Sequence, residues 1–419
     1  MALYGLIGEK LGHSFSKIIH EKMGYSYDLV ELKKEEVESF VKSKKYKGFN
    51  VTIPYKQVVM PFLDVIDESA KLIGSVNTVI NKDGKLIGYN TDIFGMEYAF
   101  KQAGIVVENK KVIILGSGGT YATAYALCKK QKAKQIINVS RSGENNYSNL
   151  DKHFNAQVII NTTPVGMYPN NYNCLVNLKD FTKLEGVFDA IYNPLKTQLL
   201  LQCEEKFTAK SGYCNGLKML VAQAKYARDI FFGNQADFNI IEKIVSEIES
   251  DKQNIVLIGM PASGKSSIGK IVASALNKEF IDTDQKIIEK AGCSIPEIFD
   301  KQGEKAFRQI EKQVALEVAI TQGKVIATGG GIILDKENID ALKQNGICVF
   351  LDRDIELLTG EGRPLSSSKE AIQKLYDSRI HLYNKYADIK VMSNESVDKV
   401  AQDILEKIKL NWTPLNFFK

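Results

Sequence analysis

Three runs of aliphatic and β-branched residues along the chain lead directly into glycines: Lys111–Gly119, Asn254–Gly264 and Val325–Gly331. A short continuous apolar run predicts a strand buried on both faces of a parallel sheet, and glycines at its end predict a turn where backbone can approach a ligand. Lys111-Val-Ile-Ile-Leu115 is the first such strand, and Gly116-Ser-Gly-Gly119 with Ala122, Ala124 and Ala126 reads as a turn entering a helix. Gln135–Val139 reads as the next strand, and Asn254–Ile258 precedes a helix of apolar periodicity. Ile240–Gln253 sets acids and lysines around isoleucines, which predicts a closing helix. A linker is expected at residues 249–253, and it marks the main domain boundary. The fold class is α/β throughout.

Composition narrows the choices. A chain of 419 residues exceeds one ordinary core, since domains average ~100–200 residues. Apolar and charged fractions of 44% and 25% belong to a globular protein, and no low-complexity block interrupts them. The net charge of +5 is small, and its lysines alternate with acids in stretches such as Glu31–Lys47. That argues for solvated helix faces rather than a nucleic-acid surface. The cysteines Cys128, Cys174, Cys203, Cys214, Cys293 and Cys348 form no C-x-x-C pair, so reduced, mainly structural thiols are expected. The histidines form no metal-binding motif. Met1–Gly8 lacks the regions of a signal peptide and no run is long enough for a membrane span, so a cytoplasmic protein is expected.

Polar chemistry in the first half sits in Gly12-His-Ser-Phe-Ser16, Gly48-Phe-Asn-Val-Thr-Ile-Pro-Tyr-Lys56, Ser75-Val-Asn-Thr78 and Gly88-Tyr-Asn-Thr-Asp92. Hydroxyl and amide residues on turns suit a polyol bearing a carboxylate. Lys56 and Asp92 are the candidate pair for managing a proton, as carbonyl reduction requires. Gly116, Ser117, Gly118 and Gly119 either form a tight structural turn or bring backbone amides to a pyrophosphate. Ser140-Arg141-Ser142 follows the next strand, where a dinucleotide fold contacts the adenosine ribose. Arg141 would pair with the 2′-phosphate of NADP(H), while Glu144 nearby leaves NAD open.

These segments, in this order, closely resemble shikimate dehydrogenases over approximately residues 1–245. The resemblance implies a substrate-binding domain at residues 1–97 and 213–248 around a Rossmann-like NADP domain at 98–212. It implies that Ser14 and Ser16 bind the substrate carboxylate, with Asn50, Thr52, Asn77 and Asn90 around the ring. Lys56 and Asp92 match the catalytic pair. Asn161-Thr-Thr-Pro-Val-Gly-Met167 resembles the cofactor-side loop and contributes Thr162. Asp189–Thr197 brings Tyr192 toward the pocket, and Gly216–Gln223 places Met219 near the nicotinamide and Gln223 at the substrate. Two departures stand out: Lys17 replaces the family's usual proline, and Ser140-Arg141-Ser142 replaces Asn-Arg-Thr.

The second half opens with Gly259-Met-Pro-Ala-Ser-Gly264-Lys265-Ser266, a full G-x-x-x-x-G-K-S between a strand and a helix. Its amides cradle phosphates, Lys265 supplies a point charge and the Ser266 hydroxyl ligates Mg²⁺. The loop alone fits a kinase, a GTPase or a motor. Phe280-Ile-Asp-Thr-Asp284, Gly303–Arg308 with Glu311, and Thr328-Gly-Gly-Gly331 add acids, an arginine and a second glycine turn. Together these resemble shikimate kinase, a P-loop kinase with a parallel sheet flanked by helices, over residues 254–410. The resemblance implies ATP held by Gly259, Ser263, Gly264, Lys265, Ser266 and Ser267, with Asp282 beside the metal. It implies Asp284 at the acceptor hydroxyl, Arg308 and Arg379 at the substrate carboxylate with Glu311 orienting an arginine, Gly331 offering the substrate a backbone amide, and Arg363 on a mobile lid. The expected function is reduction of 3-dehydroshikimate to shikimate followed by phosphorylation of shikimate, with neither nucleic acid nor membrane as partner. The alternative is a chain in which one module has become a metabolite sensor.

Overall fold

The computed structural model describes residues 2–12, 14–207, 212–358 and 369–412. They gather into two units. One is built on the residues up to Asn193 with Gln202–Val245, the other on Pro194–Leu201 with the described residues from Ser246 onward.

The first unit begins with β1 (Tyr4–Gly8), α1 (Ser16–Lys22), β2 (Asp28–Glu31), α2 (Val37–Lys42), β3 (Gly48–Val51), β4 (Val65–Ile66), α3 (Glu68–Ile73), β5 (Thr78–Lys82), β6 (Lys85–Tyr89) and α4 (Asp92–Ala103). Its sheet runs β2-β1-β3-β5-β6-β4, with β5 antiparallel to both β3 and β6. Side chains alternate across the strands: Ile7 packs with Val37 and Val41 on one face, while Tyr4 and Leu6 pack with Ala227 and Phe231 on the other.

The chain continues through β7 (Lys111–Leu115), α5 (Gly119–Lys130), β8 (Gln135–Val139), β9 (Val158–Asn161), β10 (Gly186–Asp189), α6 (Gln198–Lys206), β11 (Tyr213–Cys214), α7 (Leu217–Phe232) and α8 (Asn239–Lys252). The second sheet is wholly parallel in the order β11-β10-β9-β7-β8. The chain passes from β7 to β8 on one side and then from β8 back across to β9 on the other side of β7, so the crevice at the C-terminal ends of β7 and β9 is the switch point where such sheets bind ligands.

Two expected boundaries shift. Residues 249–252 are the last turn of α8 rather than a linker, because Ile241, Ile244, Val245 and Ile248 keep burying one helical face up to that turn. Pro194–Leu201, inside the expected range 98–212, clusters with the second unit, where the Leu195 amide donates to Asn345 Oδ1 at 3.1 Å and the Lys196 amide to Gln344 O at 2.8 Å.

The second unit comprises β12 (Asn254–Ile258), α9 (Lys265–Ala275), β13 (Glu279–Asp282), α10 (Thr283–Ala291), α11 (Ile295–Ala319), β14 (Lys324–Ala327), α12 (Lys336–Asn345), β15 (Gly346–Asp352), α13 (Lys369–Tyr386), β16 (Ile389–Met392) and α14 (Val397–Trp412). Its parallel sheet runs β13-β14-β12-β15-β16. Val256 and Ile258 face α11 and α12, and Ile255 and Leu257 face α9 and α14. Burial on both faces is why these strands are apolar at every position. Among the described residues, no helix is long and apolar enough to cross a membrane.

Candidate active sites

In the first unit the chain leaves β3 through Thr52 into a turn carrying Lys56, while α4 starts at Asp92. Lys56 Nζ lies 2.6 Å from Asp92 Oδ2, the side chains being 25% and 15% exposed. Asn77 holds the other carboxylate oxygen, its Nδ2 donating to Asp92 Oδ1 at 2.9 Å while its Oδ1 accepts from the Thr91 amide at 2.8 Å. Tyr27 donates to Asn50 Oδ1 at 2.6 Å, and Asn50 Nδ2 donates to Asn77 O at 3.1 Å. Each partner is fixed by another, so the ammonium is presented in one orientation.

A cavity of about 230 Å³ lies over this network. Its lining includes Ser16, Asn50, Thr52, Lys56, Asn77 and Asp92 from the first part of the chain and Thr120, Tyr192, Met219 and Gln223 from later in it. Ser14 and Asn90 are not part of the lining. Ser14 Oγ accepts from the Ser16 amide at 3.2 Å. Asn90 is buried, donating to Ser75 O at 2.9 Å and accepting from the Asp92 amide at 3.0 Å, so it sets where α4 begins.

Met219 and Gln223 reach the cavity because α7 crosses α4 at Gly95, where a Cβ would stand 2.5 Å from Met219 O. Two polar lining residues escape sequence reasoning. Thr120 follows the glycine turn directly, and His20 lies one turn along α1 from Ser16, a spacing that puts both on one face. The His20 ring stacks on Tyr27 with centroids 3.9 Å apart, and its Nδ1 meets the Tyr25 hydroxyl. Burial lowers its pKa from 6.5 to about 3, so the ring is neutral.

At the switch point, Gly116 has φ +107°, and a Cβ there would stand 2.8 Å from Thr162 Oγ1, which donates to Leu115 O at 2.6 Å. Only glycine accommodates both constraints. Gly118 and Gly119 face open space, and with exposed Ser117 they surround the N-terminus of α5. Ser140 closes a turn at the end of β8, leaving Arg141 and Ser142 exposed beside it. Open glycines at a helix N-terminus next to an exposed arginine fit a phosphorylated dinucleotide.

In the second unit, a cavity of about 630 Å³ opens beside the phosphate loop, lined by Gly264, Lys265, Ser266, Ser267, Asp282, Asp284, Arg308, Glu311, Gly331 and Arg379, among others. Gly259 and Ser263 belong to the loop without lining this cavity. Lys265 Nζ rests on Gly259 O at 2.9 Å and Met260 O at 2.7 Å. Ser266 Oγ donates to Asp282 Oδ2 at 2.6 Å. A hydroxyl and a carboxylate this close fit Mg²⁺, which takes few protein ligands and completes its shell with phosphates and water.

Helix α11 breaks at Gly303, where φ is +80° and ψ 170°, and its second segment carries Arg308 and Glu311 one turn apart. Arg308 Nη1 donates to Glu311 Oε2 at 2.6 Å, and Nη2 to Glu304 Oε1 at 3.1 Å. Glu311 is 2% exposed; burial pushes its carboxyl pKa up and Arg308 opposes the shift. A Cβ at Gly331 would overlap the Arg308 guanidinium, and one at Gly329 would stand 2.6 Å from Asp284 Oδ1, so bare backbone lets both charges close over the glycine turn. Arg379 Nη1 and the Tyr383 hydroxyl donate to Gly330 O at 3.1 and 2.6 Å. Arg363 and the tract expected to form its lid lie outside the described residues.

Comparison with known proteins relates both units to known families. The family model for "Shikimate dehydrogenase substrate binding domain" matches residues 6–79, and that for "Shikimate kinase" matches residues 261–409. Shikimate dehydrogenase (NADP(+)) of Clostridium perfringens strain 13 is 38% identical over 271 residues, spanning 59% of this chain and 99% of that protein. Shikimate dehydrogenase 1 of Peptoclostridium difficile superposes with a TM-score of 0.53 at 34% identity, covering 59% of this chain and 98% of its own. A chorismate mutase/shikimate 5-dehydrogenase fusion protein of Clostridium acetobutylicum does so with a TM-score of 0.56 at 37% identity, covering 59% and 97%. The chain therefore belongs to the shikimate dehydrogenase family and carries a shikimate kinase domain on the same polypeptide.

Proposed function

We propose that the two sites act in sequence on one metabolite: 3-dehydroshikimate is reduced to shikimate in the first unit, and shikimate is phosphorylated on its 3-hydroxyl in the second. The observation that carries this reading is the pairing of Lys56 with Asp92 at 2.6 Å in a small polar cavity, on a chain that also holds a complete phosphate loop. When bound, NADPH supplies the hydride and Mg-ATP the phosphoryl group.

Reduction turns a ketone oxygen into an alcohol, which requires a proton at that oxygen as negative charge develops there. Lys56 serves as that donor in this reading, supported by its contact with Asp92, which Asn77 holds and which keeps the ammonium in position. Ser16, Asn50, Thr52 and Tyr192 offer hydrogen bonds to the carboxylate and ring hydroxyls, with Gln223 closing from α7. Ser14 and Asn90 support the lining from behind. Arg141 at the end of β8 favours NADP through its 2′-phosphate.

In the second unit Arg308 and Arg379 bind the carboxylate of shikimate, and Glu311 orients Arg308. Asp284 lines the same cavity, where it accepts the hydroxyl proton as the phosphoryl group arrives. Lys265 and the loop amides offset charge on the transferring group, so positioning and electrostatics supply most of the catalysis.

The order is tested by giving the purified chain 3-dehydroshikimate and Mg-ATP without NADPH. No phosphorylated product is expected until NADPH is added; a phosphorylated ketone formed without NADPH would reverse the order.

A further inference from the structure

The phosphate loop has two flanks, and the acceptor cavity occupies the one beside β14. On the opposite flank β15 and β16 end against the loop. Leu351 O lies 2.7 Å from where a Cβ on Gly259 would stand, and Ser393 Oγ donates to Ser263 O at 2.9 Å. Arg353 is the first residue beyond β15. Its Nη1 comes to 3.9 Å from where a Cβ on Gly264 would stand, yet Arg353 does not line the acceptor cavity.

The arginine is provisioned for a ligand. Its Nε is buried without a hydrogen-bond partner. The adjacent carboxylate, Asp352, pairs instead with Lys390 at 2.8 Å. A guanidinium donor hidden from water with nothing to donate to is unfavourable until an acceptor arrives, and its fork geometry matches phosphate.

In-line transfer fixes which phosphate that is. The γ-phosphoryl group must point into the acceptor cavity, so the remainder of the nucleotide runs across the loop toward its other flank. We propose that Arg353 binds the α-phosphate of the nucleotide, adding a second cation to Lys265 on the side of the loop away from the acceptor. This rests on the kinase reading and deepens it.

The test uses the full chain and the variants Arg353→Met and Arg353→Lys. ADP affinity is measured by calorimetry, independently of turnover, alongside adenosine affinity and the kinetic constants for ATP and shikimate. Arg353→Met is expected to weaken ADP binding and raise the KM for ATP by about tenfold or more. The KM for shikimate should stay within about twofold, and Arg353→Lys should recover part of the loss because charge is retained. Retained turnover of shikimate at saturating ATP by the same variants shows that their second unit is folded. ADP affinity unchanged in Arg353→Met overturns the assignment, as does a loss that falls equally on adenosine or that lysine fails to relieve. Failure of the unsubstituted chain to phosphorylate shikimate would instead remove the kinase reading, whatever the ADP result.

Discussion

Gly95→Ala isolates the helix crossing that assembles the first site. The added methyl would stand 2.5 Å from Met219 O, 2.9 Å from Gln223 Cβ and 3.0 Å from Gln223 N. A carbon approaches a carbonyl oxygen no closer than about 3.3 Å, so α4 and α7 must separate by roughly 0.8 Å. Two of the obstructing atoms belong to the backbone and cannot rotate away. Overpacking of this kind costs about 1–3 kcal/mol, and the better helix propensity of alanine returns up to about 1 kcal/mol. The larger effect is on chemistry. Asp92 rides on α4, while Met219 and Gln223 ride on α7, so the shift opens the cavity between them. A displacement near 1 Å costs up to about a hundredfold in rate, and kcat/KM for NADPH-dependent reduction is expected to fall between about tenfold and a hundredfold. Steady-state kinetics with 3-dehydroshikimate measures this, with shikimate phosphorylation by the same preparation as the control that should not change. A variant that reduces within about twofold of the parent and melts at the same temperature would refute the claim that this close approach positions the site.

The two modules should separate cleanly by mutation. Lys56→Ala is expected to abolish reduction while leaving phosphorylation of supplied shikimate, and Lys265→Ala to do the reverse; loss of both activities in one folded single variant would contradict independent chemistry. Acid stability follows from His20, whose pKa burial lowers from 6.5 to about 3. Below pH 6.5 the unfolded chain takes up a proton that the folded ring refuses, so stability declines from there toward pH 3, at up to about 1.4 kcal/mol per pH unit. Urea unfolding of the parent and of His20→Phe, which retains a ring against Tyr27, should show a shallower decline between pH 6.5 and 4.5 for the variant; equal slopes would mean that His20 is not the titrating group.

The legible parts of the fold are those where burial dictates residue type at every position. Val112–Leu115 and Ile255–Ile258 are covered on both faces, so they are apolar without interruption and stand out in the sequence. The two-residue strands Val65–Ile66 and Tyr213–Cys214 carry no such signal, because they exist only as partners of β6 and β10. The last turn of α8 reads as a linker because Glu249–Lys252 is polar apart from the helical spacing that leads into it. At the sites, the phosphate loop is legible because its glycines, lysine and serine are contiguous. The Lys56–Asp92 pair is different: the residues are 36 apart and meet only through the β3-β5-β6 order, so their polar turn segments make them candidates and the likeness to a known family matches them to a catalytic pair. His20 and Thr120 were missed because a lone histidine or threonine on a helix has many ordinary uses. Asn90 shows the converse, a polar residue in a matching motif whose side chain is turned to buried structural bonds.

The most direct measurement follows the fate of 3-dehydroshikimate given to the purified chain with NADPH and Mg-ATP, with products identified by mass spectrometry and each nucleotide omitted in turn. Shikimate 3-phosphate should accumulate only when both are present, with shikimate alone when ATP is withheld. Binding without turnover at either step would contradict the two-enzyme account and leave that module a metabolite sensor.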